Sequence, residues 1–176
     1  MTDAELARLI REHAYLEGDF VLRSGRRSRY YLDKYRFETE PRLLRALGER
    51  IAASVADVAP RAVRLAGPEL GAVALTAAAS LASGLPFLIV RKAAKEYGTE
   101  RLLEGEFAPG EEVCLVEDVV TSGGAAADAV EALREAGLDC RVAVCVVDRE
   151  EGGADALARK AVRLHTLFRA RDVIAA

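Results

Sequence analysis

The stretch Val113-Cys114-Leu115-Val116-Glu117-Asp118-Val119-Val120-Thr121-Ser122-Gly123-Gly124-Ala125 decides how the rest of the chain is interpreted. Val113–Val116 is an apolar run, typical of a strand buried on both faces of a parallel sheet. Small residues follow from Thr121, where a helical pattern begins, and a helix N-terminus with free amides is a ready site for phosphate. Glu117 and Asp118 lie between these two parts. Because like charges repel, we expect the two acids to contact a neutral polyol or a cation, which predicts a sugar phosphate as the ligand.

A purely structural explanation of each part is also open. Strand–turn–helix units with an acidic residue at the strand end are common in α/β proteins, and a threonine or serine there is often only a helix cap. The whole order is much more specific than its parts. It lacks the Gly-Lys-Ser/Thr ending of a P-loop and the spacing of a dinucleotide glycine fingerprint. It resembles the motif with which type I phosphoribosyltransferases bind phosphoribosyl pyrophosphate (PRPP).

Composition predicts one globular domain of ordinary size. The chain has 176 residues, of which 51% are hydrophobic and 30% are charged, and this length is sufficient for one core. No apolar run approaches the ~20 residues that a membrane-spanning helix needs. The N-terminus is acidic and has no apolar signal core. We therefore expect a single domain over residues 1–176, located in the cytoplasm and without a membrane partner.

The net charge and the positions of the cysteines exclude further classes of function. The formal net charge of −3 argues against a nucleic-acid-binding surface but leaves room for local basic patches. Cys114, Cys140 and Cys145 lie in apolar, strand-like runs. An odd number without metal-ligand spacing predicts buried thiols in a reducing compartment, with neither structural disulfides nor a cysteine nucleophile.

Strand and helix patterns alternate between residues 40 and 148, which predicts a parallel sheet with helices on both faces. A long helical pattern begins at Thr39 and Pro41 and ends before Pro60. Short strand patterns cover Val63–Ala66, Phe87–Val90, Val113–Val116 and Arg141–Val147.

Ligands of such sheets gather at the carboxyl ends of the strands. Glu117, Arg149, the turn at Gly67 and the loop at Arg91 all follow predicted strand ends. We therefore expect them to form one site.

The N-terminal part predicts a helix over Asp3 to about Tyr15, followed by a hairpin around a Ser-Gly turn. The hairpin contains Leu22-Arg23-Ser24-Gly25, then Ser28 and the aromatic pair Tyr30-Tyr31. A solvated turn is the ordinary explanation of its arginines. The segment nevertheless resembles an N-terminal pattern of the orotate phosphoribosyltransferases, in which a lysine usually occupies the place of Arg23.

Three further segments continue the resemblance. The turn Gly67-Pro68-Glu69-Leu70-Gly71 corresponds to the turn that binds pyrophosphate, and it lacks the lysine that many members have there. The stretch Arg91-Lys92-Ala93-Ala94-Lys95-Glu96-Tyr97-Gly98-Thr99 is too polar to pack and predicts a long loop. It resembles the mobile catalytic loop of the family, with Tyr97 where histidine is common. Asp148-Arg149 resembles the strand end at which an arginine binds the orotate carboxylate.

The resemblance covers nearly the whole chain, which is identified as a member of the orotate phosphoribosyltransferase family. It implies an α/β fold of the type I phosphoribosyltransferase kind, with a mostly parallel central sheet flanked by helices. The core would cover about residues 40–150, and a small hood would combine residues 1–38 with parts of the C-terminus. The implied reaction is Mg²⁺-dependent transfer of the phosphoribosyl group from PRPP to orotate, giving orotidine 5′-monophosphate and pyrophosphate in pyrimidine biosynthesis. The resemblance also implies a homodimer in which the loop lysine enters the neighbouring site.

The resemblance assigns roles to individual residues. Lys95, Glu117 and Asp118 are the catalytic candidates, and the two acids would accept hydrogen bonds from ribose hydroxyls, directly or through metal-bound water. No direct protein ligand of Mg²⁺ is assigned. The PRPP-binding set is Arg91, Lys92, Lys95, Tyr97, Glu117, Asp118, Val119, Val120, Thr121, Ser122, Gly123, Gly124 and Ala125. The orotate-binding set is Arg23, Tyr31, Leu32, Thr121 and Arg149, and Glu69 and Leu70 form the pyrophosphate turn.

Two other functions stay open at this point. A purine or other phosphoribosyltransferase would share the central motif but would not need Arg149 or the Arg23 hairpin. A regulator that senses PRPP and binds nucleic acid or a protein would need an additional basic surface or domain, and the acidic balance leaves no obvious place for one.

Overall fold

The computed structural model describes residues 1–21, 25, 27–92 and 102–176. The helices are α1 (Asp3–Ala14), α2 (Lys34–Glu38), α3 (Pro41–Val58), α4 (Gly71–Ser83), α5 (Gly124–Glu135), α6 (Gly153–Arg159) and α7 (Ala170–Ala175). The strands are β1 (Tyr15–Val21), β2 (Arg27–Leu32), β3 (Arg64–Pro68), β4 (Phe87–Val90), β5 (Leu103–Glu104), β6 (Glu112–Val120), β7 (Asp139–Asp148) and β8 (Arg163–Arg169). Among the described residues, no helix combines the length and apolar character that crossing a membrane requires.

A six-stranded sheet in the order β5-β4-β3-β6-β7-β8 forms the centre of the molecule. Its strands pair in parallel, except that β5 is antiparallel to β4. Apolar residues of the sheet pack on both faces, because parallel strands joined by helices are covered on each side. The predicted fold class is therefore confirmed.

Two apolar clusters lie on the two faces of the sheet. One contains Cys114 and Val116 of β6 together with residues of α3, α4 and the N-terminal segment. The other contains Val113 and Leu115 of β6 together with residues of α5 and α6. The three cysteines are free and buried, as expected from their apolar surroundings.

The N-terminal segment lies on the side of the sheet that α3 and α4 cover. Thr2 and Glu5 form a capping box at the start of α1, which satisfies amides that a helix start leaves unpaired. β1 and β2 form a separate antiparallel pair, as the hairpin pattern predicts. Leu6 and Phe37 are fully buried in the cluster shared with β6, so this segment is packed onto the sheet.

The structure differs from the predicted elements in two places. Helix α3 does begin at Pro41, and Glu40 caps it through a hydrogen bond from Leu43 N to its carboxylate. The short helix α2 was not expected, because five residues carry too little periodicity to identify a helix. The most important error concerns β6, which continues to Val120. Glu117 and Asp118 therefore lie inside a strand and do not follow its end.

Candidate active site

Strand β6 holds both acids in buried positions between β3 and β7. Glu117 is 7% exposed and Asp118 is 3% exposed. Side chains alternate along a strand, so Asp118 shares the face of Cys114 and Val116, on which the N-terminal segment packs. The pairing of Glu117 with Cys145 and of Val119 with Val147 on β7 fixes the backbone of the acid pair close to the carboxyl edge of the sheet.

Both oxygens of the Asp118 carboxylate have partners. The backbone amide of Val119 donates to Oδ1, and the ammonium of Lys34, at the start of α2, donates to Oδ2. Gly71, the first residue of α4, makes room for this pair. A Cβ atom at Gly71 would lie 1.7 Å from Asp118 Oδ2 and 2.6 Å from Lys34 Nζ, so a side chain at this position would displace the carboxylate or the ammonium.

Glu117 and Glu38 are buried carboxyl groups in the same neighbourhood. The Oε1 atom of each has no hydrogen-bond partner among the described residues. Burial, reinforced by the negative charge of Asp118, raises the pKa of Glu117 to about 8. The same two causes raise the pKa of Glu38 to about 8. Lys34 acts in the opposite direction on both pKa values. At neutral pH the site therefore favours neutral forms of both glutamates.

These pKa values predict how stability depends on pH. The unfolded chain loses the Glu117 proton near pH 4.5, whereas the folded chain keeps it up to about pH 8. Stability therefore falls as pH rises through this window, by about 1.4 kcal/mol per pH unit for one such group. We expect Glu117→Gln to reduce the fall measured by urea unfolding between pH 5 and 8, whereas exposed Glu49→Gln serves as the charge control. Identical pH slopes for wild type and Glu117→Gln would contradict the raised pKa.

The segment after β6 forms an open helix start. Thr121 and Ser122 are exposed, and α5 begins at Gly124. Gly123 has a left-handed backbone with φ 80°, and a Cβ atom there would lie 2.9 Å from the carbonyl oxygen of Gly153. Only glycine fits this turn without strain. The resulting helix start, at which Thr121, Ser122, Gly124 and Ala125 are exposed, is suited to bind phosphate through its amides and the positive end of the helix dipole.

Arg149 follows β7 and lies beside the hairpin. Its backbone amide donates to the carbonyl of Val120 over 2.9 Å. Its guanidinium carbon lies 5.6 Å from the centre of the Tyr30 ring, and Nε lies 3.1 Å from Glu151 Oε1. The structure therefore brings Arg149 and strand β2 to the end of the sheet where the helix start lies.

Tyr31 and Leu32, two hairpin residues that are predicted to bind orotate, differ in how far they are exposed. The side chain of Tyr31 is exposed, and its ring lies 5.5 Å from that of Phe20. Leu32 is buried in the core. A contact of Leu32 with a ligand would therefore have to involve its backbone.

The turn after β3 and the start of the loop after β4 are joined. Glu69 donates its amide to the Val90 carbonyl over 2.8 Å and accepts the Lys92 amide on Oε1 over 2.7 Å. Arg91 forms ion pairs with Glu69 and Glu104. Leu70 is exposed. The Arg91 charge is thus partly neutralised by carboxylates, a feature that the assignment to pyrophosphate did not include.

Some predicted site residues fall outside the described residues. Arg23 of the hairpin and Lys95 and Tyr97 of the loop belong to this group. Glu69, Arg91, Thr121 and Arg149 follow the carboxyl ends of β3, β4, β6 and β7, as the strand-end argument predicts, whereas Glu117 and Asp118 lie within β6.

Comparison with known proteins identifies the family. No protein-family model matches the chain. A protein from Methanocella arvoryzae named orotate phosphoribosyltransferase is 47% identical over 174 residues, which cover 98% of this chain and 97% of that protein. The chain belongs to the orotate phosphoribosyltransferase family. It is therefore an enzyme of the phosphoribosyltransferase class.

Crystal structures of the family agree with the fold. Orotate phosphoribosyltransferase from Aeropyrum pernix is 32% identical with a TM-score of 0.86, covering 97% of this chain and 96% of that one. The Mycobacterium tuberculosis enzyme in complex with PRPP is 31% identical with a TM-score of 0.82, covering 97% and 98%. The likeness includes nearly the full length of both chains.

Within this orotate phosphoribosyltransferase fold, three residues at the acid pair were missed by sequence reasoning: Lys34, Glu38 and Gly71. Lys34 and Glu38 belong to a helix that the sequence pattern did not reveal. Gly71 was assigned only to a tight turn, although its main constraint is the close approach of Asp118. Buried Leu32 and Phe37, on either side of Lys34, are the available sequence signal that this segment is anchored.

Proposed function

We propose that this chain transfers the phosphoribosyl group of PRPP to orotate, producing orotidine 5′-monophosphate and pyrophosphate with the help of Mg²⁺. The observation that carries the proposal is the convergence of buried Asp118, the open start of α5 and Arg149 at one edge of the sheet. This arrangement offers an acceptor for sugar hydroxyls, an anion site and a carboxylate-binding cation. The names of the relatives support the same reaction.

The phosphoribosyl part of PRPP would span β6 and α5. The amides from Thr121 to Ala125 would hold the 5′-phosphate at the positive end of the helix dipole. Asp118 and Glu117 would accept hydrogen bonds from the ribose hydroxyls, directly or through metal-bound water. Glu117 would have to lose its proton or use the lone pairs of a neutral carboxyl group, because its pKa is raised to about 8.

The residues present fit Mg²⁺ that is bound mainly through PRPP. Among the described residues, no three potential ligands are grouped to hold a metal, whereas Mg²⁺ typically keeps several waters and binds substrate phosphates with one or two carboxylates. The hard carboxylate oxygens of Glu117 and Asp118 suit this coordination. When bound, Mg²⁺ neutralises charge on the diphosphate. The chain itself would orient the ribose and contribute cations from the loop.

The chemical step breaks the bond between ribose C1′ and the diphosphate oxygen and forms a bond from C1′ to a ring nitrogen of orotate, and the proton of that nitrogen passes to the departing pyrophosphate or to solvent. Positive charge develops on the sugar ring and negative charge on the departing pyrophosphate. Lys92 and Lys95 would stabilise the leaving group, with Arg91 shared between it and its carboxylate partners. Such preorganised charge is commonly the largest contribution to catalysis.

Orotate would bind between the hairpin and the end of β7. Arg149 would receive the orotate carboxylate, and the backbone around Tyr31 and Leu32, with Thr121, would contact the base. A guanidinium and a carboxylate can form two parallel hydrogen bonds, which gives specificity for an acidic base. A purine has no carboxylate, so Arg149 favours orotate over the purine alternative. No observation among the described residues favours a regulator.

Substrate specificity tests this proposal. With Mg-PRPP and a panel of bases, we expect the purified protein to consume orotate but neither adenine nor hypoxanthine. Arg149→Ala should raise KM for orotate by about 10–100-fold, because a hydrogen bond to a charged group contributes roughly 1.5–3 kcal/mol. KM for PRPP should change little. Arg141→Ala is the matched control, since Arg141 lies on β7, the strand that Arg149 follows, is exposed and pairs with Asp139. Equal activity with a purine would overturn the proposal.

The assembly and location belong to the same proposal. A homodimer would let the loop lysine of one subunit complete the site of the other, and a cytoplasmic location would suit pyrimidine biosynthesis. We propose one domain with a core over about residues 40–150 and a hood from residues 1–38 and parts of the C-terminus. Contact of α7 with α1 supports a C-terminal contribution to the hood.

A further inference from the structure

Lys34 connects the N-terminal segment to the acid pair of β6. Its Nζ donates to Asp118 Oδ2 although the two residues are 84 positions apart in the chain. The Lys34 side chain is 31% exposed, whereas the Asp118 side chain is 4% exposed. The Lys34 side chain is therefore partly open to solvent, whereas its carboxylate partner is almost entirely enclosed by protein.

The backbone that carries Lys34 is anchored on both sides. Leu32 precedes it and Phe37 follows it, and both side chains are buried. The amide of Asp33 donates to the Ala14 carbonyl over 2.8 Å. The start of α2 is thus tied to the end of α1 and to the core, and the long lysine side chain begins from a fixed point.

Contacts on both oxygens restrict the orientation of the Asp118 carboxylate. Oδ1 accepts the Val119 amide, while Oδ2 accepts Lys34. Gly71 leaves space for the carboxylate and the ammonium but for no further atom at its own Cβ position. Each carboxylate oxygen has two lone pairs, so both remain able to accept from a ligand hydroxyl.

Glu38 is a further buried carboxyl group beside Asp118. It lies on α2 with Lys34, is 3% exposed, and has an Oε1 atom without a hydrogen-bond partner among the described residues. Burial and the charge of Asp118 raise its pKa to about 8, and Lys34 opposes this shift. Without the ammonium, the enclosed Asp118 carboxylate would lose the opposite charge beside it, and rotation or protonation would relieve the cost of burying an unpaired charge.

We propose that Lys34 is a positioning residue for PRPP, which fixes the Asp118 carboxylate so that it can accept hydrogen bonds from the ribose hydroxyls. This inference rests on the proposed function. It assigns the N-terminal segment a part in binding the sugar, in addition to its part in binding the base. The lysine acts through Asp118 and does not itself contact the ligand.

Titration calorimetry with Mg-PRPP tests the role of the charge. Lys34→Met keeps most of the side-chain length and removes the ammonium. We expect the affinity to fall by about 10–100-fold, the scale of losing one charge-assisted hydrogen bond. Lys34→Arg should recover most of the loss, because a guanidinium can still donate to Oδ2. Lys160→Met should bind like wild type, since Lys160 pairs with Glu131 outside the site.

A double-mutant cycle tests whether Lys34 acts through Asp118. In an Asp118→Asn background, Lys34→Met should cause little further loss of Mg-PRPP affinity, because the partner to be positioned is already altered. An equal loss in both backgrounds would overturn the proposal and make Lys34 a direct ligand of PRPP. Thermal unfolding is measured for all four proteins, so that a stability effect is separated from an affinity effect.

The controls distinguish two kinds of failure. If wild type neither binds Mg-PRPP nor consumes orotate, the proposed function fails. If wild type does both and folded Lys34→Met retains wild-type affinity, only the positioning role is overturned. If Lys34→Met does not fold, Lys34→Arg decides: affinity within twofold of wild type supports the role, and a loss as large as that of Asp118→Asn overturns it.

Discussion

Replacing Lys95 with alanine should lower kcat by about 10²–10³, the effect of losing one donor to developing transition-state charge. The free energy of unfolding should stay within about 0.5 kcal/mol of wild type, as for most surface substitutions. The loop sequence is polar and cationic, so Lys95 has little packing to lose.

The ends of the loop support this assignment. The Arg91 amide donates to the Leu102 carbonyl over 2.8 Å, so the chain leaves and rejoins the sheet at one point. That point lies at the turn of Glu69, which binds the Lys92 amide. A loop that starts and ends there is attached at the edge where the diphosphate is proposed to leave. Single-turnover kinetics on Lys95→Ala, with Lys160→Ala as control, measure the effect on the chemical step.

A mixing experiment tests whether the lysine serves the neighbouring subunit. Lys95→Ala and Asp118→Asn are each expected to be nearly inactive. Mixed dimers would hold one site with both substitutions and one site with neither, so activity should reappear after subunit exchange. Exchange is verified first with differently tagged chains. A fully exchanged mixture without activity would mean that loop and acid pair act within one chain. A wild-type kcat in Lys95→Ala would contradict the catalytic role and favour the interpretation of the loop as a solvated surface segment.

The sequence was sufficient for the architecture because the sheet is built from continuous apolar runs. Val113–Val116, Arg141–Val147 and Phe87–Val90 are too apolar to lie anywhere but between two layers of helices. The order of strands and helices then leaves few possible topologies. The carboxyl-edge rule placed Arg149 and the helix start of α5 together without knowledge of distances.

Sequence patterns could not predict which residues surround Glu117 and Asp118, and the reason is physical. The Lys34–Asp118 contact joins residues that are far apart in the chain, and periodicity reports only on local structure. The length of β6 was misjudged because two charged residues normally end a buried strand. Here the strand continues, since Lys34 offsets the Asp118 charge and burial raises the Glu117 pKa to about 8.

The second large effect is expected at Gly71, where a single methyl group tests the geometry of the acid pair. The Cβ atom of Gly71→Ala would lie 1.7 Å from Asp118 Oδ2, far inside van der Waals contact. The carboxylate must then move or rotate, because the alternative is to shift α4 away from the sheet. A misplacement of about 1 Å at a substrate-positioning group can lower activity by about 10²-fold. We expect kcat/KM for PRPP to fall by at least this factor.

Gly48→Ala is the matched control for Gly71→Ala. Its Cβ atom would lie 2.7 Å from the Cβ of Ala78, between α3 and α4 and away from the acid pair. Both variants should lower the free energy of unfolding by roughly 1–3 kcal/mol, the usual cost of overpacking. Urea unfolding measures the loss of stability that both variants share, and steady-state kinetics measure how far their kcat/KM values for PRPP differ. Because only Gly71 touches Asp118, Gly48→Ala should keep the KM of wild type for PRPP. If folded Gly71→Ala also kept wild-type kcat/KM, the position of the Asp118 carboxylate would not matter for PRPP, and its assignment to the ribose hydroxyls would be wrong.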